Sequence, residues 1–413
     1  MKTDWPHVAE LLAARIPHEA LHPGAMQTAW VEAEVCGQGL FTPRPELQAR
    51  RGRRAPPSKL RGGGTPPTSM RPANENASRA WAVALSGGAD SLALLLLLWA
   101  HGPGRWGRKF VALHFNHRLR GRAADADEKF CVGVCAALGV RIVAGRWRGN
   151  HQGASEAEAR AARFAWMERA QKRRRTPVLW LGHQQDDIAE SLFMRLARGS
   201  GTAGLAAPRP AQPMPGGRWH LRPLLAFKKL EIVAALRAAG ATWREDASNT
   251  GEDFFRNRIR RSVLPAWRRA AAGRDALAGA ALARERLEED DMALEAWVDN
   301  ICGKMGDREP GLVARATPKG RSKTSPRHGR APVTLNLVAL AGVPRAVVRR
   351  ALHRWLLVQP DTGDLARQGF EQLLAAVERG SATRFSLGRA GFAVIRRGQL
   401  VYEPARRGNQ RRR

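Results

Sequence analysis

Apolar residues along this chain come in short blocks, separated by stretches whose apolar positions repeat with helical period. Trp81-Ala82-Val83-Ala84-Leu85, Phe110-Val111-Ala112-Leu113-His114, Val140-Arg141-Ile142-Val143 and Pro177-Val178-Leu179-Trp180-Leu181 read as strands. Helices are predicted between and after them, over 92–99, 123–138, 155–172 and 185–196. Strand–helix alternation with short connections implies right-handed crossovers, and so an α/β fold with a doubly wound parallel sheet. Helical patterns continue over 227–239, 258–269 and 275–301. Mixed strand and helix pieces over 333–404 predict a small α+β module. Residues 1–42 hold only a weak helical pattern (Val8, Leu11, Leu12, Ile16). Residues 43–78 and 303–332 are rich in Pro, Gly and Arg and are expected to stay unfolded.

These patterns divide the chain. Residues 1–78 form an extension expected to be largely disordered. Met70, shortly before the first strand, is a candidate translation start, which would make the preceding residues a gene-model artefact. Residues 79–226 form the α/β domain and 227–302 a helical region with a linker helix. A basic flexible linker (303–332), a C-terminal module (333–404) and a basic tail (405–413) follow.

Charge narrows the partners. The 413 residues carry 69 Lys+Arg against 37 Asp+Glu, a net charge of +32. Such a field draws polyanions, nucleic acid first and anionic membrane second. GC-rich coding explains Arg over Lys, but not the imbalance of sign. The four cysteines, Cys36, Cys131, Cys135 and Cys302, make no disulfide framework. Cys131 and Cys135, four apart on a helix, read as buried filler rather than a metal pair. A reducing cytoplasm fits. The run 92–100 is far shorter than the roughly 18 apolar residues that mark a membrane span.

The candidate chemistry begins at Ser86-Gly87-Gly88-Ala89-Asp90-Ser91, between the first strand and the leucine-rich helix. Two glycines permit a sharp turn and leave the amides bare. Successive N–H groups at a helix start cradle an anion. Ser86 and Ser91 add hydroxyls, and Asp90 suits a Mg²⁺ ion beside phosphates. The loop reads as a pyrophosphate holder; the plainer alternative is an N-capped turn. It lacks the Walker A lysine, which argues against γ-phosphoryl transfer.

Ligands in such sheets bind at the carboxyl ends of the strands. Ser86, His114-Phe115-Asn116-His117 and Gly182-His183 all follow strands and should gather on one edge. His183, Asp186, Asp187 and Glu190 fall on one helical face or its N-terminal entry, and need a cation to neutralise them. Mg²⁺ or a substrate ammonium would serve; a solvated acidic helix start is the alternative. Glu156, Arg160 and Arg163 share a face, as a phosphate clamp or a surface ion pair. Gly199 to Leu205 is a Gly-rich loop, either a closing flap or a connector. Arg222-Pro223-Leu224-Leu225, then Glu245-Asp246-Ala247-Ser248-Asn249, lead to Arg256-Asn257-Arg258-Ile259-Arg260-Arg261, which read as an RNA backbone contact or a plain basic helix.

In this order, over about 80–268, these motifs resemble the tRNA(Ile)-lysidine synthetases of the N-type ATP pyrophosphatase (PP-loop) superfamily. Ser191 stands where Thr is more usual and Phe164 where Tyr is common. The resemblance implies ATP and Mg²⁺ at Ser86, Gly87, Gly88, Ala89, Asp90 and Ser91, with His114 at the nucleotide and Asp90 on the metal. It implies adenylation of the C2 oxygen of the wobble cytidine in an isoleucine tRNA with a CAU anticodon. L-Lysine then attacks C2 through its ε-amine, giving lysidine, AMP and pyrophosphate. Asp90, Arg160 and Asp187 would be catalytic, and Asp187 and Glu190 would hold the lysine. Arg222, Asn249, Arg256, Asn257 and Arg260, with 227–302 and 333–404, would meet tRNA. A cytoplasmic enzyme with no membrane contact is expected, and a homodimer is compatible. The rival is a related tRNA-thiolating enzyme, against which stands the lack of a CxxC pair.

Overall fold

The computed structural model describes residues 3–22, 81–105, 110–148, 153–245, 254–302, 334–359 and 365–405. The chain forms two compact units, residues 1–285 and 286–413.

The first unit is built on a six-stranded sheet. Its strands are β1 (Trp81–Ala84), β2 (Phe110–Asn116), β3 (Arg141–Arg146), β4 (Val178–Trp180), β5 (Ala211–Met214) and β6 (Arg218–Leu221). The spatial order is β3-β2-β1-β4-β6-β5, parallel except for the edge strand β5. The four predicted strands are present and parallel. The β5–β6 hairpin extends the sheet beyond them. It turns at Gly216 (φ 79°) and Gly217 (φ 67°), a left-handed pair that glycine accepts without strain.

Both faces of the central strands β1, β2 and β4 are buried, so these read as apolar runs rather than alternating ones. Trp81, Val83, Ala112, Val178 and Trp180 pack on one side, against helices α2 (Ala89–Arg105), α3 (Arg122–Ala137) and α7 (Lys229–Ala238). Ala82, Val111, Leu113, Leu179 and Leu181 pack on the other, against α4 (Glu156–Arg174). A third cluster joins α5 (Gln185–Leu196), which the short α6 (Thr202–Leu205) follows, to Leu225, to Ile259 and Leu264 where α8 (Phe255–Arg258) leads into α9 (Leu264–Ala270), and to Leu277.

The N-terminal segment differs from the expected disordered extension. Trp5–Arg15 is a helix, α1, capped by Asp4, whose carboxylate accepts from the His7 N–H at 3.3 Å. Trp5, Val8, Ala9 and Leu12 are buried in the main core with Ile16 and Leu21. The reason lies in α2. Its Leu92 and Leu94–Leu98 are all buried. A helix apolar on every side must be covered on every side. The sheet covers one side, and α1 and α7 cover another. His101 on α2 ties to the Ile16 carbonyl at 3.0 Å. Removing residues 3–22 would therefore open the core. Met70 and the rest of 23–80 lie outside the described residues, as does the linker 303–332 apart from its preceding helix end.

Helix α10 (Ala276–Cys302) runs from the first unit into the second. The second unit has a four-stranded antiparallel sheet and two helices, α11 (Arg345–Val358) and α12 (Arg367–Arg379). Its own core centres on Trp355, Leu352, Leu373, Leu374, Ile395 and Leu400. This is the expected small α+β module.

Candidate functional site

The chain runs from β1 out to β2 and β3 on one side, and returns to β4 and β6 on the other. The reversal puts the carboxyl ends of β1 and β4 side by side, where open α/β sheets open a crevice. The loops after both strands line one cavity of about 1340 Å³. It collects Ser86, Asp90, His114, Arg160, His183 and Asp187, which the chain order scatters over about a hundred residues. The three expected polar clusters therefore meet on one edge.

The 86–91 loop is closed from within. Ser91 Oγ donates to the Gly88 carbonyl at 3.0 Å and accepts from the Ser86 amide at 3.1 Å. Its other lone pair faces Ser86 Oγ at 3.0 Å, which makes the Ser86 hydroxyl the donor. Gly87 has φ 90°, and a Cβ there would stand 3.2 Å from Cys131 Sγ. The Gly87 carbonyl accepts from the Arg244 amide at 3.0 Å, a brace that sequence reading missed. Gly182 is the second tight point. A Cβ on it would lie 2.8 Å from the Asp90 carbonyl, so the loops after β1 and β4 touch backbone to backbone.

Asp90 opens α2 and faces a cation. Lys229 Nζ donates to Asp90 Oδ1 at 2.7 Å. Burial pushes the Asp90 carboxyl up, Lys229 pulls it back, and nearby Asp187 adds to the rise. Lys229 also escaped sequence reading. Its signal was a lysine at the first position of a helix, against the dipole.

The acidic helix is neutralised from within the chain. Gln184 caps α5, its amide donating to Asp187 Oδ2 at 2.9 Å. Arg256 donates to Asp187 through Nη2, and to Glu190 Oε2 through Nε at 2.6 Å. Arg260 holds Glu190 with two bonds, at 2.6 and 3.0 Å. Glu190 is 1% exposed and does not line the cavity, whereas Asp187 and Arg256 do.

This changes the picture of the basic residues expected at RNA. Arg256 and Arg260 turn toward the carboxylates of α5. Arg222 is 5% exposed and donates to His183 Nδ1 at 3.2 Å, the Arg209 carbonyl at 2.8 Å and Gln212 Oε1 at 3.0 Å. Burial, then Arg160, draws its pKa down to about 10, still charged at neutral pH. A guanidinium committed on three sides presents no edge to RNA. Asn257 is buried, and Asn249 lies outside the described residues.

Two of the histidines that line the cavity, His183 and His114, have opposite polarity. His183 is driven well below its ordinary pKa by burial and by the guanidiniums of Arg222, Arg160, Arg256 and Arg163. It is neutral, and because Nδ1 accepts from Arg222 its proton sits on Nε2. His114 is also lowered, chiefly by burial. Its Nδ1 lies 2.9 Å from the Leu85 carbonyl and must donate. Its Nε2 is therefore a buried lone pair with no partner among the described residues. One ring offers a hydrogen and the other accepts one.

Arg160 and Arg163 sit over the Phe164 ring at 5.0 and 5.3 Å. Phe164 is itself tilted against His220 at 5.7 Å. This platform uses a ring face, which Phe supplies as well as Tyr. With Arg244 and Lys229 across the cavity, the walls are strongly cationic and suit a polyphosphate. No three metal-ligating side chains cluster among the described residues. A divalent ion at Asp90 would thus complete its shell with phosphate oxygens and water, as Mg²⁺ commonly does. That Asp90 already attracts an ammonium shows that the carboxylate is placed to hold a cation.

Residues 68–267 match the PP-loop domain family ATP_bind_3. The chain is 35% identical over 310 residues to the tRNA(Ile)-lysidine synthase of Symbiobacterium thermophilum, covering 74% of this chain and 60% of that one. It is 30% identical over 339 residues to that of Nitratidesulfovibrio vulgaris, covering 78% of this chain and 90% of the relative. The chain spans about half the length of some relatives, such as 46% of the enzyme from Geobacter sulfurreducens. Among solved structures, the U34-tRNA thiolase NcsA of Methanococcus maripaludis is 19% identical with a TM-score of 0.42, covering 51% of this chain and 72% of that one, a likeness too distant to argue from.

Proposed function

Starting from the chain's membership of the tRNA(Ile)-lysidine synthase family, we propose that it ligates L-lysine to C2 of the wobble cytidine in an isoleucine tRNA with a CAU anticodon. ATP is consumed and AMP and pyrophosphate are released. The observation that carries this reading is the meeting of Asp90, Arg160, His183 and Asp187 in one cavity beside the phosphate loop.

The reaction needs three things from the protein. The first is a grip on ATP. The 86–91 amides hold phosphate oxygens, and the His114 Nε2 lone pair accepts a hydrogen bond from the nucleotide. Mg²⁺ held at Asp90 would supply positive charge to the phosphates. The second is stabilisation of charge as the C2 oxygen attacks the α-phosphorus and pyrophosphate leaves. Arg160 and His183, which line the cavity, are proposed to supply it. The wobble base must leave its stack to enter, which an anticodon loop permits.

The third is a seat for lysine. Asp187 lines the cavity and is proposed to receive the ammonium, in competition with Arg256. Glu190 then works from behind, fixing Arg256 and Arg260 rather than touching lysine. Asp187 is proposed to take a proton from the ε-ammonium, and the free amine then attacks C2 and displaces AMP. The second unit and the exposed basic residues are proposed to hold tRNA phosphates; each contact steepens the salt dependence by roughly 0.7–0.9 on a log–log plot.

Thiolation is the weaker reading. Burial pushes the Cys135 thiol up to about 12 and the Cys131 thiol further still, so neither is a nucleophile. No helix among the described residues is long and apolar enough to cross a membrane. A cytoplasmic site of action accords with a tRNA substrate.

The decisive assay incubates the protein with ATP, radiolabelled lysine and CAU-anticodon tRNA, followed by nucleoside analysis. Label in a modified cytidine is expected. Absence of label from the tRNA, or pyrophosphate release over many turnovers that is indifferent to lysine, would overturn the proposal. In the same assay Asp90→Ala is expected to lower pyrophosphate release by about a hundredfold or more.

A further inference from the structure

Lys229 is the least expected member of the cavity. It starts α7, where a cation opposes the positive end of the helix dipole. Its amide donates to Asp186 Oδ2 at 2.9 Å, which fixes the backbone, and its ammonium reaches across to Asp90 Oδ1 at 2.7 Å. The two residues are 139 apart in sequence, so the contact is made only by the fold. The side chains keep 39% and 23% exposure, and both face the cavity beside Ser86 and Gly88. The pair is therefore open to an incoming ligand, and the long lysine stem can swing.

Asp90 offers one carboxylate to two cations. No protein cage for a metal surrounds it among the described residues, so a divalent ion gains its full shell only with phosphate oxygens present. Until then the ammonium is the better partner. Once the ion arrives on a polyphosphate, Lys229 loses its carboxylate and stands within reach of fresh anionic oxygens.

We propose that Lys229 is a positioning residue that keeps Asp90 occupied in the nucleotide-free protein, yields it to the divalent cation, and transfers its ammonium to the polyphosphate. The inference rests on reading the 86–91 loop as the nucleotide site. Its consequence is that metal enters with the nucleotide, not before it.

The test separates metal from anion in the full-length protein. Mn²⁺ binding is followed by electron paramagnetic resonance without nucleotide, and inorganic pyrophosphate binding by calorimetry at saturating Mg²⁺. Lys229→Met should bind Mn²⁺ alone about fivefold or more tightly than the unaltered protein, and pyrophosphate about fivefold more weakly. Lys229→Arg should restore pyrophosphate affinity and keep Mn²⁺ weak. In an Asp90→Asn background, Lys229→Met should leave Mn²⁺ affinity unchanged. The opposite signs are the mark of the proposal, since damage to the fold would weaken both ligands. Unchanged or weaker Mn²⁺ binding by a folded Lys229→Met overturns it. Lys229→Gln carries the same measurement should the methionine variant fail to fold. Loss of lysine incorporation into tRNA with the sign split intact would remove the proposed reaction and leave this inference standing.

Discussion

Each unit contains a glutamate gripped by two arginines. In the first unit Glu190 accepts from Arg256 and Arg260. In the second Glu371 accepts from Arg345 and Arg349. The bonding looks alike, but the surroundings do not. Glu190 is 1% exposed, whereas the Glu371 side chain is 40% exposed and its partners 53% and 45%. Water can replace the arginines around Glu371 and cannot do so around Glu190. Ion pairs at a surface are thus largely exchangeable, while the buried one is part of the architecture. It lashes the basic segment 256–260 onto α5, and so positions Asp187 and Arg256 at the cavity wall.

The contrast can be broken most forcefully at Glu190. Glu190→Ala takes from Arg260 its buried counter-charge and leaves Arg256 with one of its two carboxylates, Asp187; it should cost about 3–5 kcal/mol of stability, read from denaturant unfolding. A loss no larger than that of a surface variant would erase the distinction between the two units. Next is Leu12→Ala in α1, expected to cost ~2–5 kcal/mol, since Leu12 is fully buried against the leucines of α2. A neutral outcome would return α1 to the status of a dispensable extension.

Smaller and pH-dependent is the effect of His220. Burial, then Arg222 and Arg218, holds it at about 4 against 6.5 for a free histidine. The unfolded chain takes up a proton below pH 6.5 that the folded chain refuses. This contribution is full above pH 6.5 and fades as pH falls toward 4. His220→Phe should flatten the stability–pH curve in that window by about one proton's worth of slope. The smallest effect belongs to Glu371→Gln, which should leave the unfolding midpoint unmoved, with any change disappearing at high salt.

Strands β1, β2 and β4 were legible because each is buried on both faces and reads as an unbroken apolar run; the half-exposed β3 showed only through its short Ile142-Val143 block. The 86–91 loop was legible because its chemistry is local, six residues between one strand and one helix. The β5–β6 hairpin was not, since Ala211–Met214 and Arg218–Leu221 are short and carry polar residues. α1 showed as a weak periodicity; the missing clue was α2, whose leucine run leaves no solvent face. Partners of the carboxylates were hidden for a different reason. The acids of α5 plainly needed cations, and Mg²⁺ or a substrate ammonium was a sound expectation. The cations came from Arg256 and Arg260, about seventy residues away, and that pairing is written in the packing of α5 on 255–264 rather than in any local pattern. Arg222, which the resemblance set at tRNA, turns its three bonds inward, to partners that no local pattern reveals.

Gly182 has a consequence for how this protein can change. With no room for even a methyl group against Asp90, its position tolerates no side chain unless a neighbouring backbone retreats. Natural variation in one loop must wait upon variation in the other, so both should be inherited as a block. Engineers seeking an altered cavity will find more latitude at the exposed Leu119, which also lines it, than at this seam.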